Sequence, residues 1–280
     1  MINEPKGRVL IVAGSDSGGG AGIQADIKAV TMMGGFAMTA ITAVTVQNTL
    51  GVTGIHEIPV QIVRDQMKAV LSDIGTDAVK TGMLGSAAIV EGVAAEIEAG
   101  ASEAVLVVDP VMIAKGGARL LEQSAVDALR QVLVPMATLL TPNVPEAEAL
   151  TGREIKTLEG QKAAADALLG LGADAVLVKG GHMEGEIVTD VLATQETVHT
   201  MTSPRIDTRH THGTGCALAS AIAGLLSQGV ELVLAVEAAR DYVHEAIRTA
   251  PGFGAGNGPL NFLALPDDDD EPEIGSVLRH

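Results

Sequence analysis

The stretch Arg8-Val9-Leu10-Ile11-Val12-Ala13-Gly14-Ser15-Asp16-Ser17-Gly18-Gly19-Gly20-Ala21-Gly22 sets a short β-branched apolar run against a loop dense in glycine. Ile23 to Met33 then carries apolar residues at helical spacing and is closed by Gly34-Gly35. The run Arg8–Ala13 is predicted to be a buried strand, and strand, glycine loop and helix in that order form a phosphate-binding layout. The pattern repeats. Strands are predicted at Met38–Val46, Ala78–Thr81, Ala104–Asp109, Thr138–Thr141 and Ala175–Lys179. Helices are predicted after Pro59, at Ser86–Glu98, Gln123–Val134 and Gln161–Leu171, with two more after Cys216. Val52–Ile58 reads as a further strand turned off the main sheet, since no helix separates it from its predecessor. Such alternation implies right-handed crossovers and an α/β fold whose mainly parallel sheet is covered on both faces. No repeat or linker interrupts residues 1–265, which are expected to form one domain. Asp267 to Asp270 with Glu271 and Glu273 lie in an acidic stretch, 266–280, expected to be a solvated, mobile tail.

The 280 residues carry a net charge of −17, three Phe, one Tyr and no Trp. That balance repels a phosphate backbone and offers few rings for stacking bases, so nucleic acid is not an expected partner. No apolar run reaches the roughly 18 residues of a membrane span, and Val9–Ala13 is too short for a signal peptide. A cytoplasmic protein is expected, and the single cysteine agrees with a reducing compartment.

Polar side chains recur just after predicted strands, where α/β sheets bind ligands. Asp109 follows one strand, Asn143 and Glu146 the next, and Lys179-Gly180-Gly181-His182 another. Two carboxylates and a lysine suit a nucleotide with Mg²⁺. The plain structural alternatives are a turn at Asp109-Pro110 and a capping box at Asn143–Glu146. No Gly-x-x-x-x-Gly-Lys-[Ser/Thr] string is present, and Gly14, Gly18 and Gly22 do not fit a dinucleotide register. Gln47, at a strand end, can pair in two-point fashion with an aminopyrimidine edge, or belong to a polar turn. Met83 and Met112 can wall a flat ring or merely fill core. His210 and His212 lack the further ligands of a zinc site.

His212-Gly213-Thr214-Gly215-Cys216 precedes the apolar run Ala217–Ala223 and places the only cysteine at a helix start. Two glycines let successive amides converge there, and the helix dipole favours an anion. The Cys216 thiol is expected to be depressed in pKa and able to take a proton from a bound alcohol, the alternative being a buried thiol after a cap.

Taken in order, Gly14 to Asp26, Ile41 to Thr49, Val79-Lys80-Thr81-Gly82-Met83-Leu84, Asp109-Pro110-Val111-Met112, Thr141-Pro142-Asn143, Lys179 to His182 and His212 to Cys216 closely resemble the hydroxymethylpyrimidine and phosphomethylpyrimidine kinases of thiamine biosynthesis. The resemblance implies a ribokinase-like three-layer α/β/α sandwich. It also implies ATP-dependent phosphorylation of 4-amino-5-hydroxymethyl-2-methylpyrimidine and then of its monophosphate. It carries catalysis to Cys216 with Gly213, Thr214 and Gly215, and pyrimidine binding to Gln47, Gly14, Gly20, Asp26, Val46, Met83 and Met112. Nucleotide contacts fall to Asn143, Lys179, Thr211 and Lys115, the last in a closing segment, and Mg²⁺ to Asp109 and Glu146. A homodimer is implied as well. The first phosphate is expected on the amides of the Ser17–Gly22 loop. Departures from the family pattern are Gly18 and Gly116 for serine, Ala217 for threonine and Asn261 for histidine. A pyridoxal kinase and a non-catalytic pyrimidine-binding protein remain as alternatives.

Overall fold

The computed structural model describes residues 4–112 and 122–265. Lys115 and the acidic stretch 266–280 lie outside them.

Nine strands form one sheet in the order β3-β2-β1-β4-β5-β6-β7-β8-β9. They are β1 (Arg8–Ser15), β2 (Phe36–Asn48), β3 (Gly51–Glu57), β4 (Ala78–Thr81), β5 (Val105–Val108), β6 (Leu139–Leu140), β7 (Ala175–Val178), β8 (Ile187–Thr194) and β9 (Val198–Pro204). The pairs from β2 through β7 are parallel, whereas β3 on β2, β8 on β7 and β9 on β8 are antiparallel. Antiparallel neighbours need no crossover helix. Val52–Ile58 is therefore an edge strand of the main sheet, paired from Ala43↔Glu57 to Asn48↔Gly51, and is not turned away from it. The β8–β9 hairpin was not expected from the sequence.

Alternation in β1 builds both cores. Leu10 and Val12 enter a cluster with α2 (Val60–Asp73), α3 (Ala87–Gly100), α4 (Gln123–Ala128), α5 (Val144–Thr151) and α6 (Leu158–Leu169). Val9, Ile11 and Ala13 enter one with α1 (Gly22–Met32), α7 (Thr214–Leu226) and α8 (Leu232–Arg248). Both faces are covered and the layers are helix, sheet, helix, as expected. The predicted helix Gln123–Val134 is α4 followed by a π-helical turn, Leu129–Leu133, and a 3₁₀ turn holding Pro135. Proline lacks the N–H that would continue the α ladder. No helix among the described residues is long and apolar enough to cross a membrane.

Candidate active site

Because the strands run parallel, their carboxyl ends share one rim. Ser15, Gly82, Asp109, Asn143 and Lys179 lie at the ends of β1, β4, β5, β6 and β7 and line one cavity of about 1090 Å³. Gln47 on β2 and Gly213 to Cys216 at the start of α7 line it too.

Gly213 caps α7 at φ 86°, a conformation that favours glycine, and no side chain caps that end. The Thr214 hydroxyl is committed to the Thr211 carbonyl at 2.8 Å. The first-turn amides of Gly215 and Cys216 have no carbonyl within the helix to bond, and both residues line the cavity. Beside them lies a buried ion pair. Lys179 Nζ donates to Asp109 Oδ1 at 2.8 Å, and a Cβ on Gly215 would stand 3.2 Å from that Nζ. Burial opposes the charge on Asp109, but Lys179 and Lys80 outweigh it and hold the carboxyl below its usual range.

Asn143 and Glu146 form a capping box. Asn143 Oδ1 accepts from the Glu146 amide at 2.9 Å, and Glu146 Oε2 accepts from the Asn143 amide at 2.8 Å. The plain structural reading of this pair holds, yet both residues also line the cavity. Burial, with Asp109 nearby, pushes Glu146 up to about 7. Two buried carboxylates supply the hard oxygens Mg²⁺ prefers, and no group of three or more His, Cys, Asp or Glu able to hold a metal occurs among the described residues. The donors fit an ion completed by phosphate oxygens and water.

Cys216 departs from expectation. Its thiol is pushed up to about 12, chiefly by burial and further by Asp26 and Asp109, against the pull of Lys80 and a bond from the Gly22 amide. A helix terminus contributes about 0.3–1 kcal/mol in exposed positions and rarely more than about 2. Loss of hydration outweighs it, so the sulfur keeps its proton at neutral pH.

The glycine loop departs as well. Asp16 turns its own carboxylate into the loop, accepting from Gly18 N at 2.8 Å, Gly20 N at 3.1 Å and Ala21 N at 2.8 Å. Gly19 N donates to the Asp16 carbonyl. These amides are occupied and cannot hold a substrate phosphate. Gly20 is buried outside the lining, where a Cβ would meet His212 Cδ2 at 2.6 Å.

Asp26 is fully buried beneath the cavity floor, outside the lining, where its Oδ1 accepts from Lys80 Nζ at 2.8 Å and Ser220 Oγ at 2.7 Å. It positions Lys80, which is fully buried at the cavity wall and is held charged by Asp26 and Asp109 despite burial. The Val46 side chain is 62% exposed on the other face of β2 and does not line the cavity. Gly14, Met83, Met112, Thr211 and Gln47 do, and Met83 lies so close to Gly14 that a Cβ there would stand 2.4 Å from its Cε. Lys80, Asp16 and His212 had no assigned role in the sequence reading. A lysine inside the four-residue buried strand Ala78–Thr81 was the available signal. The cavity is also lined from β8, β9 and α8 by Val188, Pro204 and Val243, with the polar Arg205, Asp207 and Arg240 among them, a contribution not expected from the sequence.

A doubly covered sheet with antiparallel edges, and a Gly-Thr-Gly-Cys helix start beside a lysine and two carboxylates, define a ribokinase-like kinase. The chain belongs to the phosphomethylpyrimidine kinase family, whose model matches residues 16–261. It is 48% identical over 259 residues to the hydroxymethylpyrimidine/phosphomethylpyrimidine kinase of Bacillus subtilis, covering 92% of this chain and 95% of that protein. It is 50% identical over 264 residues to a thiamine biosynthesis bifunctional protein of Geobacter sulfurreducens, covering 94% of this chain but only 54% of that longer one. Among solved structures, an ADP complex of Bacillus subtilis pyridoxal kinase superposes with a TM-score of 0.85 at 35% identity, covering 92% of this chain and 98% of that one.

Proposed function

We propose that this chain transfers the γ-phosphoryl group of ATP to the hydroxymethyl oxygen of 4-amino-5-hydroxymethyl-2-methylpyrimidine, and then a second group to the monophosphate, in thiamine biosynthesis. One observation carries the reading: a single cavity joins an amide suited to an aminopyrimidine edge, Gln47, to the α7 amides beside Lys179 and Asp109. Val188, Pro204 and Val243 in the same lining can pack on an adenine ring, and Thr211 and Asn143 line the cavity as well.

Catalysis rests mainly on alignment and on charge already in place. The Gly215 and Cys216 amides receive the transferring group, and Lys179 neutralises its oxygens. Met83 and Met112 wall the ring. In the first step the small ionised fraction of Cys216 takes the hydroxyl proton on Sγ as the new O–P bond forms and the bond from the γ-phosphorus to the ADP oxygen breaks. In the second step the acceptor is an ionised phosphate oxygen with no such proton to lose, and Lys179 supplies the charge that the occupied glycine loop does not. Asp109 and Glu146 would hold Mg²⁺, which would supply charge neutralisation to the phosphates.

A coupled ADP-release assay with product masses tests the reading. A diphosphate product from the aminopyrimidine is expected, and silence with that substrate overturns it. Gln47→Leu is expected to penalise the aminopyrimidine more than pyridoxal, by about tenfold for a lost two-point contact; equal losses would contradict the pairing.

Glu146 sets a pH dependence. With its carboxyl at about 7 it is half protonated near neutrality, so efficiency with Mg²⁺-ATP is expected to climb as pH rises through about 7. Glu146→Gln is expected to abolish that climb and lower the plateau by about 10–100-fold. The linkage runs the other way for stability. A raised carboxyl contributes stability fully below its ordinary value of 4.5 and loses it as pH rises through about 7. Glu146→Gln is therefore expected to be more stable than the unmodified chain at pH 8, by on the order of 1–3 kcal/mol in denaturant unfolding.

A homodimer is supported by the apolar Val44, Val46 and Ile55 exposed on β2 and β3. A solution mass of twice 28.5 kDa is expected from light scattering. A cytoplasmic setting suits a chain whose only cysteine is a free thiol in the cavity wall.

A further inference from the structure

We infer that His212, clamped by Asp16, fixes which end of the Gln47 amide carries the donor, and so is a positioning residue for recognition of the acceptor ring. The inference rests on the ring-reading role proposed for Gln47.

His212 is held from several sides. Its amide donates to the Gly258 carbonyl at 3.1 Å, and it forms a parallel bridge with Pro259. Its ring lies against Gly20, where any side chain would strike Cδ2. Nε2 stands 2.9 Å from Asp16 Oδ2 and 3.2 Å from the Gln47 amide nitrogen. The Asp16 carboxyl can only accept: against the push of burial, the bonds from His212, Ala21 and Gly18 hold it below its usual range and therefore ionised.

The proton inventory then has one solution. Nε2 must carry the hydrogen it gives to Asp16, so it has no lone pair for an amide N–H. The orientation that sets the Gln47 nitrogen against His212 brings two donors together. Turning the amide over leaves both heavy-atom distances at 3.2 Å, because Thr45 Oγ1 stands 3.2 Å from the other terminus. The oxygen then accepts from His212 Nε2, in a bond shared with Asp16. The nitrogen donates to Thr45 Oγ1, whose own hydrogen goes to the Ser15 carbonyl at 2.8 Å. His212 Nε2, both termini of the Gln47 amide and the Thr45 hydroxyl each have a partner of the right kind. One amide N–H and one oxygen lone pair remain for a ligand, the pair an aminopyrimidine edge complements. Without the His212 donor the amide can present either end, and half of its orientations set donor against donor at the ring.

The test uses the full chain in three forms, unmodified, His212→Leu and His212→Gln, with the aminopyrimidine and Mg²⁺-ATP. Nitrogen-15 spectra of the unliganded chain read the imidazole tautomer, the His212 signal being identified by its loss in both variants. The expected results are a proton on His212 Nε2 and, in His212→Leu, a KM for the aminopyrimidine raised about tenfold. The same variant should change kcat by less than about threefold and leave the KM for ATP in place. His212→Gln, whose terminal amide can donate from near the Nε2 position, should recover most of the loss. A bare Nε2 would overturn the inference, as would equal impairment of the Leu and Gln variants or equal increases in both KM values. Should His212→Leu fail to fold, the tautomer in the unmodified chain still decides. The two readings fail separately: an unaltered KM in Gln47→Leu removes ring reading itself, whereas a sensitive Gln47 with an insensitive His212 overturns only the positioning role.

Discussion

Cys216→Ala is expected to slow the first phosphorylation by about 10²-fold at pH 7 while leaving the second within about tenfold of normal. The argument turns on protons. The hydroxymethyl acceptor must lose one, and the phosphate monoester need not. A positioned base contributes about 10²–10⁴-fold, and the low end applies because burial pushes the thiol up to about 12. At pH 7 only a small fraction of the sulfur is ionised, although each thiolate is a strong base. Its population grows tenfold per pH unit, so the first-step kcat of the unmodified enzyme is expected to keep rising with pH above 8, and the gap to the alanine variant to widen. Single-turnover measurements of each step between pH 6.5 and 9.5 check this. Equal losses in both steps would make Cys216 an aligning group only, and near-normal turnover would remove it from the mechanism.

The sequence exposed the parallel core of this fold well, because strands buried on both faces are continuous apolar runs and crossover helices are periodic. It hid the edges. Asp190 interrupts the apolar pattern of β8, where its carboxylate accepts from Gly180 N at 2.7 Å and Arg240 Nε at 2.8 Å. In β9 only Met201 is buried, so alternation there is too weak to read. The rim residues Asp109, Glu146 and Lys179 were legible because they follow strands, a one-dimensional signal.

What the sequence could not convey was depth and occupancy. Whether an amide is free depends on which carboxylate folds back on it, and Asp16 had claimed the loop amides. Whether a thiol is depressed depends on how much water it keeps, and half-buried Cys216 loses enough for burial to outweigh the helix start. Asp26 resembled a ligand-binding acid by its place in a motif, but its partners Lys80 and Ser220 lie 54 and 194 residues away. Val46 shares a strand with Gln47, and the two-residue period of that strand turns it to the opposite face.

Gly213→Ala is expected to lower kcat for both phosphorylations by about 10²–10³-fold, which separates the anion-binding helix start from the proton acceptor beside it. At φ 86° an L residue is strained by roughly 1–2 kcal/mol. The larger obstacle is steric, because a Cβ would fall 1.8 Å from the Gly20 carbonyl oxygen and 3.2 Å from Ala21 Cα. Both of those are backbone atoms in a loop that Asp16 holds through three amide bonds, so the loop cannot yield cheaply. The start of α7 must move instead, carrying the Gly215 and Cys216 amides away from the transferring phosphoryl group. A misplacement of about 1 Å can lose 10²-fold by itself. Because both reactions pass the same group over the same amides, they should fall together. Circular dichroism should show the fold retained, since the other core and most of the α7 contacts to the sheet lie beyond its first turn. A loss confined to the first step would assign the helix start to proton transfer rather than to charge stabilisation.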